Sequence, residues 1–385
     1  TLSLHDALPI CNIYGLYSFS SAANITLSNS IFRNFSTPTT GTLCGIREYG
    51  TAGAKVFENN QIYNFSTTTG GAGGATMYGI WSSTGDITST GNTIYALNST
   101  GTTGGTSGTV AGVYYSGGAT NSCLKNKIYN LSSNSTNPLV CGIYMGGGTT
   151  NTIVNNYIGD LAAPAANAGL PLAGFQITGG TNANIYYNTV NLNTTSSGAL
   201  FGSSALYVST TVNLTLRNNI LVNTSVPNGA TGYTVAYRRS GTTLTSYQAA
   251  SNNNLFYAGV PGPNNLIHYD GTNPFQTLAA YQAMTVPATL APRDNVSITE
   301  VPSFLSINGA DATFLHINTA LSTGIESGGA VIAGIDDDYD GNIRYGSTGY
   351  TGSGSAPDIG ANEFEGVPSY TCEIPSPGNT IASAN

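Results

Sequence analysis

Three observations predict an all-β chain wound as a parallel β-helix, a solenoid of about eight coils of about 31 residues each. Asparagine recurs about once every thirty residues, at Asn29, Asn60, Asn92, Asn126, Asn156, Asn188, Asn218 and Asn253, each followed two positions later by a branched apolar residue from Ile31 through to Leu255. A second column keeps step with it: Leu16, Ile46, Ile80, Val113, Ile143, Phe175, Leu206 and Val235, with glycine before the first six. The segments that carry these columns are short and alternate in polarity, as in Leu124-Lys-Asn126-Lys-Ile128, so Leu, Asn and Ile share one strand face. Helical spacing is absent across the repeats, and a four-stranded propeller blade usually takes a longer repeat.

The coil geometry explains why asparagine is the repeated polar residue. Successive coils stack about 4.8 Å apart, so identical residues form ladders along the axis. An amide has both donors and an acceptor and can bond its copies above and below, and asparagine tolerates the left-handed backbone of a corner. All eight asparagines are therefore expected to form one inward ladder, and seven intervals give a rod of roughly 34 Å.

On these residues the chain, from about Cys11 to Tyr257, resembles the right-handed parallel β-helix proteins of the pectate-lyase-like superfamily. That resemblance implies the fold and leaves the activity open, because the superfamily includes lyases, hydrolases, adhesins and coat proteins.

The elements then follow in chain order. Thr1 to Ile10, TLSLHDALPI, is what one reading frame of a common sequencing-library adapter encodes, so it is set aside together with His5 and Asp6. The chain is accordingly expected to be a metagenomic fragment that lacks its own N-terminus. Residues 11–258 are assigned to the coils. The Ser-, Thr- and Gly-rich stretches Ser66 to Thr76, Ser99 to Thr109 and Ala162 to Leu172 read as variable loops on one side. Cys44 and Cys141 occupy the same slot three coils apart, roughly 14 Å, which is beyond disulfide reach, so they read as small buried residues.

Residues 259–366 read as a closing segment. Asn273 to Met284 suggests a short amphipathic helix with Asn273 as cap and Pro274 at its first position, suited to covering the last open coil. The run Gly334 to Arg344, followed by Ala356 to Phe364, resembles the end of bacterial surface β-helix proteins of the choice-of-anchor type. Residues 367–385, with Cys372, resemble a linker into a further domain; proteins of this kind commonly end in a type IX sorting domain. These resemblances imply an extracellular or cell-surface location on a Gram-negative bacterium, as a monomer within a larger multidomain chain.

Composition agrees with such a chain and excludes other classes. Only 7% of residues are charged, the net charge is -8, and no apolar run approaches the ~20 residues of a membrane span. Ten basic residues without a cluster beyond Arg238-Arg239 argue against nucleic acid.

Three constellations could carry chemistry. Asp336, Asp338 and Asp340 before Gly341 have the alternation of a calcium loop, although Ser347 stands where an EF-hand would place Glu. In the alternative, preferred reading they cap turns and pair with Arg344, with no cofactor. Residues following the inward columns should point outward: Tyr17, Trp81, Tyr114, Tyr144 and Tyr207 on one strip, Phe32, Tyr63, Tyr95 and Tyr129 on another. Such strips could stack polysaccharide or cell-surface glycan rings, or could simply brace adjacent strands. A lyase or glycosidase centre needs convergent charged groups, and Glu48 with Arg47 and Arg33 is the one place in the coils where acid and base could meet. The reading that follows is a non-enzymatic adhesin, stalk or binding module; the alternative is a polysaccharide-binding or polysaccharide-degrading β-helix protein.

Overall fold

A computed structural model describes residues 12–19, 24–38, 40–67, 74–101 and 108–369. Three sheets run the length of a parallel solenoid. Sheet A has ten strands, from Asn12–Ser18 and Thr42–Glu48 through to Asn265–Tyr269, closed by the antiparallel Pro274–Phe275. Sheet B has seven, Ile25–Ser28 to Asn213–Arg217, and sheet C has eight, Ile31–Thr37 to Leu255–Tyr257. The first seven coils each contribute one strand to each sheet in turn, which is the predicted parallel β-helix. Sheet A runs past residue 258 to Tyr269. Thr1 to Ile10, Cys372 and most of the 367–385 stretch lie outside the described residues, as do 68–73 and 102–107 of the first two variable loops.

One apolar core fills the coils. Leu43, Ile46, Ile62, Ile80, Ile94, Ile128, Ile143 and Ile158 are all fully buried in it. Sheets A and C approach closely at the glycine column. A Cβ on Gly112 would lie 2.6 Å from Ile128 Cγ2 and 2.8 Å from the Gly142 carbonyl oxygen, so this slot admits no side chain while the isoleucine of sheet C fills it. The second column departs from expectation in its last coil. Tyr237, two residues beyond Val235, pairs with Leu206.

The asparagine ladder is present, with a one-residue correction at three coils. Nδ2 of Asn60 donates to Oδ1 of Asn92 at 3.0 Å, and the chain continues through Asn126, Asn156, Asn188, Asn219 and Asn254 at 2.8–3.0 Å per link. Each backbone N–H of these residues also donates to the next Oδ1, as from Asn126 to Asn156 at 2.9 Å. The remaining amide hydrogen reaches a carbonyl, such as Phe57 O from Asn92 at 2.9 Å. The side-chain donors and acceptors of these fully buried rungs are thereby satisfied within the ladder. The ladder ends on Asp294 Oδ1 and Ser297 Oγ, at 3.2 and 3.0 Å from Asn254.

Asn29, Asn218 and Asn253, predicted as rungs, are not rungs. Ser30, Asn219 and Asn254 hold the inward position, and the three predicted residues sit one place earlier with φ of 52°, 59° and 59°. That left-handed corner, shared with Asn59, Gly91, Lys125, Asn155 and Tyr187, suits asparagine sterically.

The C-terminal segment does two things. A short helix, Leu278–Gln282, covers the last coil with Leu278, Tyr281, Met284 and Leu290, as expected of an end cap, but its N-cap is Thr277 rather than Asn273, and Pro274 lies in a strand. Residues beyond Ile298 then turn back along the corner between sheets B and C instead of closing the end. Asn253 Nδ2 donates to Gly328 O at 3.0 Å, Asn218 Nδ2 to Ala330 O at 2.7 Å, Asn155 Nδ2 to Asp337 O at 2.8 Å, and Lys125 Nζ pairs with Asp337 at 2.6 Å. Asn218 and Asn253 thus exchange the ladder for this clasp.

Candidate functional site

Sheet A carries a continuous outward row in register: Tyr17, Arg47, Trp81, Tyr114, Tyr144, Gln176, Tyr207, Arg238 and Tyr269. All five predicted members of the strip are in it, and the coils between them contribute guanidinium and amide groups. The glycine column makes the row two residues deep. Because each strand bends at its glycine, the residue three before the row also faces outward, giving a parallel file of Tyr14, Cys44, Tyr78, Ala111, Cys141 and Ala173 that packs beneath the rings as a cluster separate from the core. Cys44 and Cys141 are free and buried there, and burial raises both thiols well above their usual range.

Ring geometry says what this surface can offer. Tyr114 and Tyr144 stack at 4.5 Å with 18° between planes, and Trp81 and Tyr114 at 5.8 Å and 25°. The Arg47 guanidinium lies 3.5 Å over Trp81 and 5.1 Å from Tyr49, and burial lowers its pKa. Further along, Arg238 lies 5.0 Å over Tyr269 and donates to Gly169 O at 3.1 Å. Rings inside such a stack turn their faces to one another and present edges and hydroxyls outward.

The sheet C strip is divided. Tyr63, Tyr95 and Tyr129 stack at 4.7 and 4.9 Å, within 8° of parallel. Phe32 is not part of it; the same one-residue slip that moves Asn29 turns Phe32 toward the core, and Arg33 takes the outward slot, donating to Tyr63 OH at 3.1 Å. Phe314 covers the far end over Tyr129 and Gly159, and Lys127 donates to Asp311 O at 2.7 Å, so this strip is bracing under the returning segment.

The acid–base candidates do not meet. Glu48 points into the solenoid, fully buried, where Oε1 accepts from Gly50 N at 2.6 Å and Oε2 has no partner. Arg47 faces outward from the neighbouring position, and Arg33 belongs to sheet C. Alternation on a strand separates 47 from 48, and two different sheets separate both from 33. Asp160 occupies the left-handed slot shared with Asn34, Asn64 and Asn130.

Asp336, Asp338 and Asp340 diverge. Asp338 is fully buried and takes five N–H donors, from Asp340, Asn342 (backbone and side chain), Glu363 and Asn362, at 2.8–3.4 Å. Asp336 accepts from Ser347 Oγ at 3.0 Å, and Asp340 lies 2.7 Å from His316 Nε2. Arg344 forms no ion pair with any of them, and only its backbone N–H reaches Asp336 O, at 2.9 Å. It binds Glu363 at 3.0 Å, donates to Asn155 at 2.8 Å, and stacks 3.9 Å over Tyr187, so the two halves of the C-terminal motif lock onto the corner. Among the described residues no group of three or more His, Cys, Asp or Glu side chains is arranged to hold a metal ion. A cavity of about 560 Å³ opens on this segment beside Tyr350, Ser353 and Glu365, but Glu365 is already bonded to Ser353 and Tyr350.

Sequence reasoning placed Arg47 in a catalytic trio and passed over Phe19 and Tyr49, which stack at 5.4 Å and 5° at the edge of sheet A. The signal was available: the pair stands at one coil spacing, each directly after a sheet A strand. Comparison with known proteins finds no matching family model, no matching curated protein and no matching solved structure.

Proposed function

We propose that this chain is a non-catalytic β-helix module of the cell surface or extracellular space, a rigid stalk whose sheet A face binds glycan. The single observation that carries the reading is the unbroken outward row from Tyr17 to Tyr269, aromatic or guanidinium at every coil but one. Tyrosine edges and hydroxyls with fixed guanidinium donors suit sugar hydroxyls along a chain lying parallel to the axis. No carboxylate stands in that row on a molecule of net charge -8, so a ligand there meets no repelling charge.

The ladder supports the stalk role, since every coil is tied to the next by side-chain as well as backbone bonds. Kinship to the pectate-lyase-like superfamily and a surface-anchor role for the closing segment belong to the same proposal. They rest on the inward Asn pattern and on the Gly334–Arg344 and Ala356–Phe364 motifs. The degrading alternative loses its support with the separation of Glu48, Arg47 and Arg33. A glycan array combined with a reducing-end assay, with calcium and with chelator, tests the reading. Binding without new chain ends is expected, and release of ends would overturn it.

A further inference from the structure

Arg293 and four threonines line a cavity of about 430 Å³ at the capped end of the solenoid, within the size range of ligand pockets. One wall is the turn that leaves the sheet A strand Thr234–Arg239, and the other is the stretch that follows the capping helix. Both walls lie inside the continuous stretch 108–369, far from either end of it. Thr242, Thr243, Thr245 and Thr289 bring hydroxyls to the cavity, Pro287 brings an apolar surface, and no carboxylate among the described residues lines it. The neighbouring acid, Asp294, is fully buried and turned away, where Oδ2 accepts from the Tyr247 and Tyr281 hydroxyls at 2.6 and 3.0 Å.

The guanidinium of Arg293 is fixed and unpaired. Nε donates to Tyr247 O and Nη1 to Leu290 O at 3.3 Å, whereas Nη2 has no acceptor and the group no acid partner among the described residues. The Thr242 and Thr289 hydroxyls are likewise unbonded, and those of Thr243 and Thr245 lie 3.1 Å apart, bonded to each other. Behind the first wall the buried Arg239 holds Thr243 O at 3.1 Å and Ser246 Oγ at 2.8 Å, which stiffens the wall and makes the local potential positive. A carboxylate is matched by two parallel N–H groups of one guanidinium. Both ends of that fork already hold carbonyls here, which leaves one nitrogen among hydroxyls that reach the cavity from two walls, an arrangement suited to a tetrahedral oxyanion. A phosphate monoester carries close to two charges at neutral pH, more than one guanidinium balances, and a sulfate ester carries one.

We propose that this cavity binds the sulfate ester of a glycan, with Arg293 Nη2 and the hydroxyls of Thr242 and Thr289 as donors to the sulfate oxygens. The inference rests on the glycan-binding reading and deepens it: the outward row of sheet A ends at Arg238 and Tyr269, and the turn after Arg239 forms the cavity wall.

The test measures binding of a κ-carrageenan tetrasaccharide, which carries sulfate and no carboxylate, against its desulfated counterpart and against an unsulfated chondroitin tetrasaccharide, which carries carboxylate. The full chain is compared with Arg293→Met and with Thr242→Val/Thr289→Val, circular dichroism verifying each fold. The threonine pair removes only unbonded hydroxyls, so it decides the matter if loss of the Tyr247 and Leu290 contacts unfolds Arg293→Met. The wild type is expected to bind the sulfated sugar about tenfold more tightly than either comparator, as one charge-assisted contact supplies. Both variants should lose that margin and keep wild-type affinity for the desulfated sugar. Equal wild-type binding of the sulfated and desulfated sugars, binding of the carboxylate sugar as tight as that of the sulfated one, or a margin that the threonine pair retains overturns the sulfate site and leaves the sheet A reading standing. Absence of wild-type binding to these sugars and to arrayed glycans overturns both.

Discussion

Replacing Asn156 by alanine removes a central rung of the ladder. Its Oδ1 accepts from Asn126 N and Nδ2 at 2.9 and 3.0 Å, and its Nδ2 donates to Cys123 O and Asn188 Oδ1 at 2.9 and 2.8 Å. Nδ2 also reaches Val154 O at 3.1 Å, and these losses do not weigh equally. Asn188 Oδ1 keeps the backbone N–H of residue 156, and Asn126 Nδ2 keeps Ser89 O, but the Asn126 backbone N–H loses its acceptor in a fully buried setting. An orphaned buried donor costs about 1–3 kcal/mol and each lost bond about 0.5–1.5 kcal/mol, so Asn156→Ala should destabilise by about 3–5 kcal/mol. Asn29→Ala provides the contrast. Asn29 is off the ladder and exposed, and its substitution costs about 1 kcal/mol for holding alanine at φ of 52°. Denaturant melts followed by tyrosine fluorescence and by circular dichroism measure the pair, two probes being needed because a solenoid can unfold in stages. Equal midpoints for the two variants would refute the ladder assignment and restore Asn29 as a rung.

Other consequences follow from the same geometry. Gly112→Ala must displace either Ile128 or the Gly142 backbone, and a loss of about 1–3 kcal/mol is expected in the same melts. Arg344→Ala leaves Glu363 buried without its cation; hydrogen exchange should accelerate through residues 299–369 while the coils before Lys125 keep their protection. His268 is fully buried, and burial holds its pKa down to about 3, below the unfolded value near 6.5. The unfolded chain therefore takes up the proton first, and stability falls as pH drops from 6.5 toward 3 by on the order of 4–5 kcal/mol from this group. His268→Leu should flatten that acid limb, and an unchanged slope would contradict it. Calcium should leave the melting temperature of the C-terminal segment where chelator leaves it, because Asp338 is already saturated with N–H donors; a rise on adding calcium would contradict that arrangement.

The repeat made the fold legible, because one polar residue at one period has few structural explanations. What misled was local register. At Asn218-Asn219 and Asn253-Asn254 two asparagines stand side by side, and both choices place an apolar residue two positions on, Ile220 or Leu221 and Leu255 or Phe256. Leu221 and Phe256 face the core, whereas Ile220 and Leu255 face outward and are apolar because the returning segment covers them with Ile317, Ile325 and Ile359. That cover is a tertiary fact about a hundred residues or more away for Ile220, beyond any alternation pattern. The same slip carried Phe32 into the outward strip and left Arg33 out of it. The outward register of the sheet A strip was legible because a glycine column fixes it through the first six coils. The catalytic trio was not, since sequence proximity of Arg47 and Glu48 means opposite faces on a strand.

Hydroxyl-radical footprinting of the full chain with and without a glycan it binds tests the account most directly, because it asks which face the sugar covers. Ring protection confined to the sheet A row, at Tyr17, Trp81, Tyr114, Tyr144 and Tyr207, is the predicted result. Protection on the sheet C tyrosines or on the C-terminal segment, with the sheet A rings unprotected, would contradict it.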